Sequence, residues 1–336
     1  QDTRINKSRR KFQGVLFFDL SAAYDLLDKE IFLKKAEVVG ITGVALSWLT
    51  SYLTDRKQVV QINDARSSVK SLAFGTPQGS ACSCLLFALF VGDIGLWLND
   101  GLLQAYADDT FITLEADTMD ELVEKMEAEG GRVIEYFNMN RMVTNPGKTA
   151  ILIFRPTSTS SPADHVQISL CGETIGESDV EKVLGVWITN DLKWKHQTEK
   201  LINELNYNVS VLWRLRKVLG NREMRMIAEG LINSRIRYCL QVYGVEFLRI
   251  NLDQPTSGLQ QAAQKVQNDV LRIVTGHTRS EHVRIADMLE TTKMLSVNKM
   301  VAFGCLMETW KSATFDVPVL GSMFDRNRLD KRNLRS

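Results

Sequence analysis

The 336-residue sequence lacks a long hydrophobic run. Its longest apolar stretch, around Leu85 to Val91, is far too short to span a bilayer. No secretory signal peptide is recognisable at its start. A strong charge of either sign is also missing. The formal net charge is +1 at pH 7, so any basic footprint for a nucleic-acid partner has to be local. Cysteine is scarce and irregular: Cys82 and Cys84 are close, Cys171, Cys239 and Cys305 are isolated, and no CxxC pair occurs. That pattern argues against a zinc site and for reduced thiols in an intracellular protein. Internal repeats and low-complexity segments are absent too. The basic clusters are too short to assign nucleus or cytoplasm.

What remains is an ordinary globular balance, 44% hydrophobic and 24% charged, which supports a packed core. The length allows roughly two domains. The chain starts at Gln1 in what reads as mid-domain, and it is expected to be a fragment of something longer. A small basic cluster (Lys7, Arg9, Arg10, Lys11) comes first. Gly14-Val-Leu-Phe-Phe-Asp19-Leu20 then reads as a buried strand that delivers Asp19 to its C-terminal end. Residues 28–54 have helical spacing that Gly40 and Gly43 break into two helices. Residues 57–63 and 68–74 suggest a hairpin about Asn63-Asp64. Residues 80–98 read as a buried helix, and Leu102 to Leu114 as strand, turn, strand with Asp108-Asp109 at the turn.

An amphipathic helix is expected over 118–139, with Leu122, Val123, Met126, Val133, Ile134 and Phe137 inside and Glu121, Glu124, Glu127 and Glu129 outside. Thr149–Phe154, Val166–Leu170 and Val183–Ile188 are strand candidates, and 156–163 is a loop by composition. After Trp194 helical spacing dominates. The basic residues Lys195, Lys200, Arg214, Arg216 and Lys217 suit either a phosphate-lined groove or the wet face of helices. His277 and His282 show no metal spacing and no obvious partner. Residues 316–336 form a polar tail.

The sharpest feature is Tyr106-Ala107-Asp108-Asp109. Adjacent acids disfavour each other's ionisation, and a divalent cation reverses that penalty. Mg²⁺ takes oxygen ligands, often one or two carboxylates with substrate phosphates. Asp19 could supply a third carboxylate if its strand is a neighbour. Alone, Asp-Asp is more often a solvated turn, and Asp19 alone could simply end a strand.

The order of motifs changes that balance. Phe18-Asp19-Leu20-Ser21-Ala22-Ala23-Tyr24-Asp25, Gly75-Thr76-Pro77-Gln78-Gly79-Ser80, Tyr106-Ala107-Asp108-Asp109, Asn145-Pro146-Gly147-Lys148-Thr149 and Leu184-Gly185-Val186-Trp187 follow one another along the chain. They resemble, in order, the five palm motifs of reverse transcriptases. The style of the sequence resembles the non-LTR retrotransposons of animals, jockey-like elements in particular. The close match covers about residues 13–190, and 195–315 match more loosely.

The resemblance implies an α+β fold: a palm of antiparallel strands backed by helices over 1–192 with a remnant of fingers, then an α-helical thumb-like region over 193–315. It implies RNA-directed DNA polymerase activity, with an RNA template, a DNA primer and dNTPs as partners and no membrane. Asp19 and Asp108 would hold two Mg²⁺ ions, roughly 3.5–4 Å apart, with Mn²⁺ as a substitute. Asp109 would be a less direct ligand. Leu20 would offer its backbone carbonyl, Tyr24 would exclude a 2′-hydroxyl, and Gln78 and Gly79 would border the incoming nucleotide. Lys148 would lie near the triphosphate, either as a charge partner or as an acid that protonates pyrophosphate. Leu184 and Gly185 would form the primer grip.

Two departures stand out. Only about a dozen residues precede the first palm strand, so fingers and endonuclease are expected to be missing. Cys84 stands where relatives commonly have proline. Positioning supplies roughly 7–11 kcal/mol of a barrier, so an inactive remnant that at most binds nucleic acid is the alternative. A two-metal nucleotide cyclase is a third reading, and Tyr106–Asp109 with the Pro77-Gln78-Gly79 turn argues against it.

Overall fold

A computed structural model describes residues 11–156, 165–244 and 258–314. Lys7, Arg9, Arg10, most of the 156–163 loop and the 316–336 tail lie outside the described residues. The chain divides into two compact units, Gln1–Leu192 and Lys193–Ser336.

The first unit is built on β1 (Phe12–Phe18). Every side chain from Gly14 to Phe18 is apolar because both faces of this strand are covered. Leu16 and Phe18 point to one side, where they join the main core. Val15 and Phe17 point to the other, against Leu152, Phe154, Phe111, Ile188 and Leu192. After β1 come two short segments, α1 (Ala23–Leu26) and α2 (Lys29–Val38), then α3 (Gly43–Leu53). Asp28 caps α2 by accepting from the Glu30 and Ile31 N–H groups. The expected break falls between Gly40 and Gly43.

Residues 57–71 form the expected hairpin as two short ladders, β2 (Lys57–Gln58) with β5 (Lys70–Ser71) and β3 (Gln61–Ile62) with β4 (Ala65–Arg66). The predicted buried helix over 80–98 is shorter: α4 spans Ser83–Val91 and a 3₁₀ turn covers Ile94–Trp97. Leu85 on α4 is exposed, so that helix is not apolar-packed all round.

β6 (Leu102–Tyr106) and β7 (Asp109–Ala116) form a hairpin, followed by α5 (Met119–Met139), capped by Thr118. Leu122, Met126, Val133 and Phe137 of α5 pack on Leu16, Ile112, Leu114, Ile151 and Ile153 of the sheet. The approach is close. A Cβ on Gly14 would lie 2.5 Å from Met126 Sδ, and one on Gly130 2.7 Å from Leu170 Cδ2. Glu129 was expected outside and is instead buried at 4% exposure. Its Oε2 accepts from the Asn99 N–H at 3.1 Å and its Oε1 faces Arg132 Nε at 3.5 Å, which offsets the cost of withdrawing a carboxylate from water.

The remaining strands are β8 (Ala150–Phe154), β9 (Gln167–Leu170), β10 (Glu173–Ser178), β11 (Val180–Val183) and β12 (Val186–Thr189). The six-stranded sheet runs β6-β7-β1-β8-β10-β9. It is mixed, which corrects the antiparallel expectation: β10 runs parallel to β8 through Glu177↔Ile151 and Ser178↔Leu152. The Arg155–Glu177 pair clamps this junction. Arg155 Nη2 donates to Glu177 Oε2 at 2.7 Å, Nη1 donates to Oε1, and the Val166 N–H donates to Oε2 at 3.2 Å. The single strand expected over 183–188 is instead the tip of the β11–β12 hairpin. Leu184 and Gly185 both take positive φ, 47° and 84°, and the chain reverses there.

The second unit is helical. It contains α6 (Lys195–Leu215), α7 (Asn221–Ala228), a π-helical turn (Glu229–Asn233), α8 (Ser234–Arg237), α9 (Leu240–Tyr243), α10 (Gly258–Thr275), α11 (Ile285–Thr292) and α12 (Val297–Thr314). Buried Leu201, Leu205 and Leu212 of α6 and Val270 and Leu271 of α10 mark its core. Of its basic residues, Lys195 faces Glu199 at 3.9 Å, and Arg214 and Arg216 donate to nearby carbonyls. His277 does have a partner, Glu281 at 2.6 Å. No described helix is long and apolar enough to cross a membrane. All five cysteines are free.

Candidate active site

The β1–β7 register builds the site. Phe17 lies opposite Phe111 and Phe18 opposite Thr110, so one further step brings Asp19 beside Asp109. Strand alternation puts Asp19 on the face of Phe17, and Asp109 on the face of Phe111. Both carboxylates therefore point away from α5. They line a cleft of about 130 Å³ together with Lys148, Glu181, Lys182 and Leu184.

The fourth motif is fastened to the end of β1. The Asn145 N–H donates to the Asp19 carbonyl at 2.9 Å, and the Ser21 N–H to the Val143 carbonyl at 3.0 Å. Leu20 bridges Thr144, and its side chain is buried. A 3₁₀ turn over Pro146–Lys148 then carries Lys148 back to the cleft, where its Nζ lies 3.2 Å from Asp19 Oδ2.

Asp109 is the first residue of β7, and the turn itself is Ala107-Asp108. Ala107 takes φ 55°, a left-handed conformation that costs a non-glycine residue energy and recurs at functional sites. The Asp109 carboxyl is pushed above the usual carboxylate range, first by partial burial and then by the charges of Asp108 and Asp19. This mutual repulsion is what a divalent cation removes, and the donors are hard oxygens of the kind Mg²⁺ takes. Asp109 is within electrostatic reach of both Asp108 and Asp19. Among the described residues no three acidic, cysteine or histidine side chains form a ready metal cluster. Asp108 stands outside the cleft lining, on the side of Tyr24, whose hydroxyl it helps push up after the larger effects of burial and Cys84.

Tyr24 packs its ring on Phe87, with centroids 4.8 Å apart, and its hydroxyl lies 3.9 Å from Cys84 Sγ. The second motif docks against the first. The Gly75 N–H donates to the Leu27 carbonyl and the Thr76 N–H to the Tyr24 carbonyl. Gly75 takes φ 82°, and a Cβ there would lie 2.7 Å from the Asp25 carbonyl oxygen, so only glycine fits. Gln78 is held by Asp25, and Gly79 has φ 77° with open space around it.

The structure thus brings Asp19, Asp109, Lys148 and Leu184 to one cleft. Tyr24, Gln78 and Gly79 lie on the adjoining motif-two side. Sequence reasoning gave no role to Asp25, Glu181 or Lys182. Asp25 stood in plain view inside the first motif. Glu181 and Lys182 are recognisable only once 180–189 is seen as a hairpin.

Residues 1–188 match the family described as reverse transcriptase (RNA-dependent DNA polymerase). The chain is 24% identical over 247 residues to the RNA-directed DNA polymerase from mobile element jockey of Drosophila funebris, covering 70% of this chain and 26% of that protein. It is 22% identical over 278 residues to the probable RNA-directed DNA polymerase from transposon X-element of Drosophila melanogaster, covering 80% and 29%. The chain spans about a quarter of the length of the curated relatives it matches. Among solved structures, apo telomerase from Candida tropicalis aligns with TM-score 0.44 at 11% identity, over 94% of this chain and 52% of that one. A matching family model over more than half of the chain, ordered palm motifs and an α+β sheet that gathers them carry the assignment: this chain belongs to the reverse transcriptase family.

Proposed function

We propose that the chain carries the polymerase centre of a non-LTR retrotransposon, adding deoxynucleotides to a primer 3′-hydroxyl on an RNA template. One observation carries the reading: the β1–β7 register sets Asp19 beside Asp109 at a cleft that also holds Lys148. Asp19 and Asp108 would hold two Mg²⁺ ions, or Mn²⁺ in their place, with Asp109 and the Leu20 carbonyl in support. Bound there, such ions would supply the positive charge that favours ionisation of a 3′-hydroxyl and offsets the charge of a leaving pyrophosphate.

The chain's own residues do the rest. Lys148 restrains the Asp19 carboxylate and stands ready to meet phosphate charge. The Tyr24 ring, braced on Phe87, blocks space for a 2′-hydroxyl. Gln78 and Gly79 border the nucleotide, and the Leu184-Gly185 tip supports the primer end. The helical unit serves as the thumb along the template–primer duplex through phosphate contacts.

A second reading is a non-catalytic nucleic-acid binder. Primer extension separates the two. Purified chain receives an RNA template, a DNA primer, Mg²⁺ and dNTPs, beside an Asp108→Asn control. Extension that the control loses supports polymerase activity. Template binding without extension supports the binder and ends the polymerase reading for this chain.

A further inference from the structure

The Gln78 side chain is oriented from outside its own loop. Its Nε2 lies 2.8 Å from Asp25 Oδ1 and 3.0 Å from Asp25 Oδ2. An ionised carboxylate only accepts hydrogen bonds, so the amide must turn its NH₂ end to Asp25. The carbonyl Oε1 is then turned away from Asp25 and is the one acceptor that the side chain presents, beside the amide N–H that the carboxylate leaves unused.

The loop is fixed around this contact at several other points. Backbone N–H groups of Gly75 and Thr76 donate to the carbonyls of Leu27 and Tyr24, on either side of Asp25. Gly75 lies so close to the Asp25 backbone that a Cβ would meet its oxygen at 2.7 Å. Ser83 Oγ donates to the Pro77 carbonyl at 2.8 Å, and Tyr52 and Ser80 share a hydroxyl–hydroxyl bond of 2.5 Å. The backbone of the loop is thus held without Asp25's side chain. What the carboxylate adds is the polarity of one amide.

We infer that Asp25 is a positioning residue that fixes Gln78 as a hydrogen-bond acceptor toward the incoming nucleotide. The inference rests on the nucleotide-binding reading above. An acceptor suits a sugar hydroxyl or a base N–H and repels a triphosphate oxygen. It follows that Gln78 reads the nucleoside part of the substrate, while charge recognition falls to Lys148 and the metals. Without Asp25 the amide is free to turn over and present NH₂ where an acceptor is needed.

Two measurements on the full chain test this. The first needs no activity: selective ¹⁵N-glutamine labelling, with the Gln78 side-chain resonance assigned through Gln78→Ala. Asp25→Ala is expected to shift and sharpen the Gln78 NH₂ signal while other glutamine side chains stay in place. Asp25→Asn, which keeps one acceptor oxygen, is expected to shift it less. An unmoved Gln78 signal in Asp25→Ala overturns the inference, as does movement of glutamines throughout the unit. The second is primer extension. Asp25→Ala is expected to raise the KM for dNTPs about tenfold with kcat within twofold, and Asp25→Asn to recover part of the loss. The Asp25→Ala/Gln78→Ala double variant should be no worse than Gln78→Ala alone. Additive losses, or a fall confined to kcat, overturn it. A chain that extends no primer sinks the polymerase reading, and the labelling result still decides the Asp25–Gln78 pairing.

Discussion

Glu177 is the best place to test whether the junction between β8 and β10 holds this palm together. Its side chain is 1% exposed, and that of Arg155 is 20% exposed. The carboxylate takes both arms of the guanidinium and a backbone N–H from Val166. Glu177→Ala removes the anion and leaves a largely buried guanidinium without compensation. Breaking such a pair costs about 3–5 kcal/mol, well above the ~0–1 kcal/mol of an exposed pair. For a unit of this size each kcal/mol moves the midpoint by roughly 2–4 °C, so a fall of about 6–20 °C is expected in the transition of the sheet unit. The assay is calorimetry of the full chain, with urea unfolding to confirm that the m-value is unchanged. The double variant Arg155→Met/Glu177→Leu is the internal control, since packed apolar replacements of an ion pair are often neutral or stabilising. A loss under about 1 kcal/mol in Glu177→Ala would show that water screens the pair, and the clamp argument would fail. Because β11 begins two residues beyond β10, the same variant is expected to loosen the hairpin that lines the Asp19 cleft.

Other perturbations probe other levels. Gly130→Ala places a Cβ 2.7 Å from Leu170 and 3.3 Å from Leu16; overpacking should cost about 1–3 kcal/mol, read as a lower urea midpoint. Tyr24→Ala should relax discrimination against ribonucleotides on the order of tenfold, and unchanged dNTP/rNTP selectivity in an active chain would remove Tyr24 from that role. Asp109, raised by burial and then by Asp108 and Asp19, binds its proton more tightly folded than unfolded. Its contribution is therefore present below the unfolded carboxylate pKa and is lost as pH rises through the folded one. In metal-free buffer at neutral pH, Asp109→Asn should raise the melting temperature, and Mg²⁺ should raise that of the parent more than that of the variant. A variant that melts lower without metal would contradict the repulsion argument.

Much of the sheet unit is legible in the sequence because its signals are local. The apolar run before Asp19, the glycine break between α2 and α3, and the 3.6-residue stripe of α5 all state their structure in a few residues. The failures share a cause, which is partners distant in sequence. Glu129 reads as wet because nothing nearby says that Asn99 will cover it. The parallel β8–β10 pairing depends on where a long connection returns, which no periodicity encodes. Val183–Ile188 alternates well enough to pass as one strand, and only the left-handed Leu184 and Gly185 divide it. At the site, the five motifs named the acids and their order. They could not give the cleft its other wall, Glu181 and Lys182, or disclose that Asp25 and Gln78 touch.

The tip of that hairpin sets durability against use. Val183 pairs with Val186, so Leu184-Gly185 is a two-residue turn with both φ positive, the type I′ form. Asparagine favours the first of these positions, whereas a branched apolar side chain held left-handed costs roughly 1–2 kcal/mol. A variant library sorted for heat resistance alone should drift toward Leu184→Asn. In doing so it would strip the cleft of its apolar lip. Selection for copying should hold leucine there, so what each library keeps at position 184 would report whether the chain is maintained for its fold or for its work.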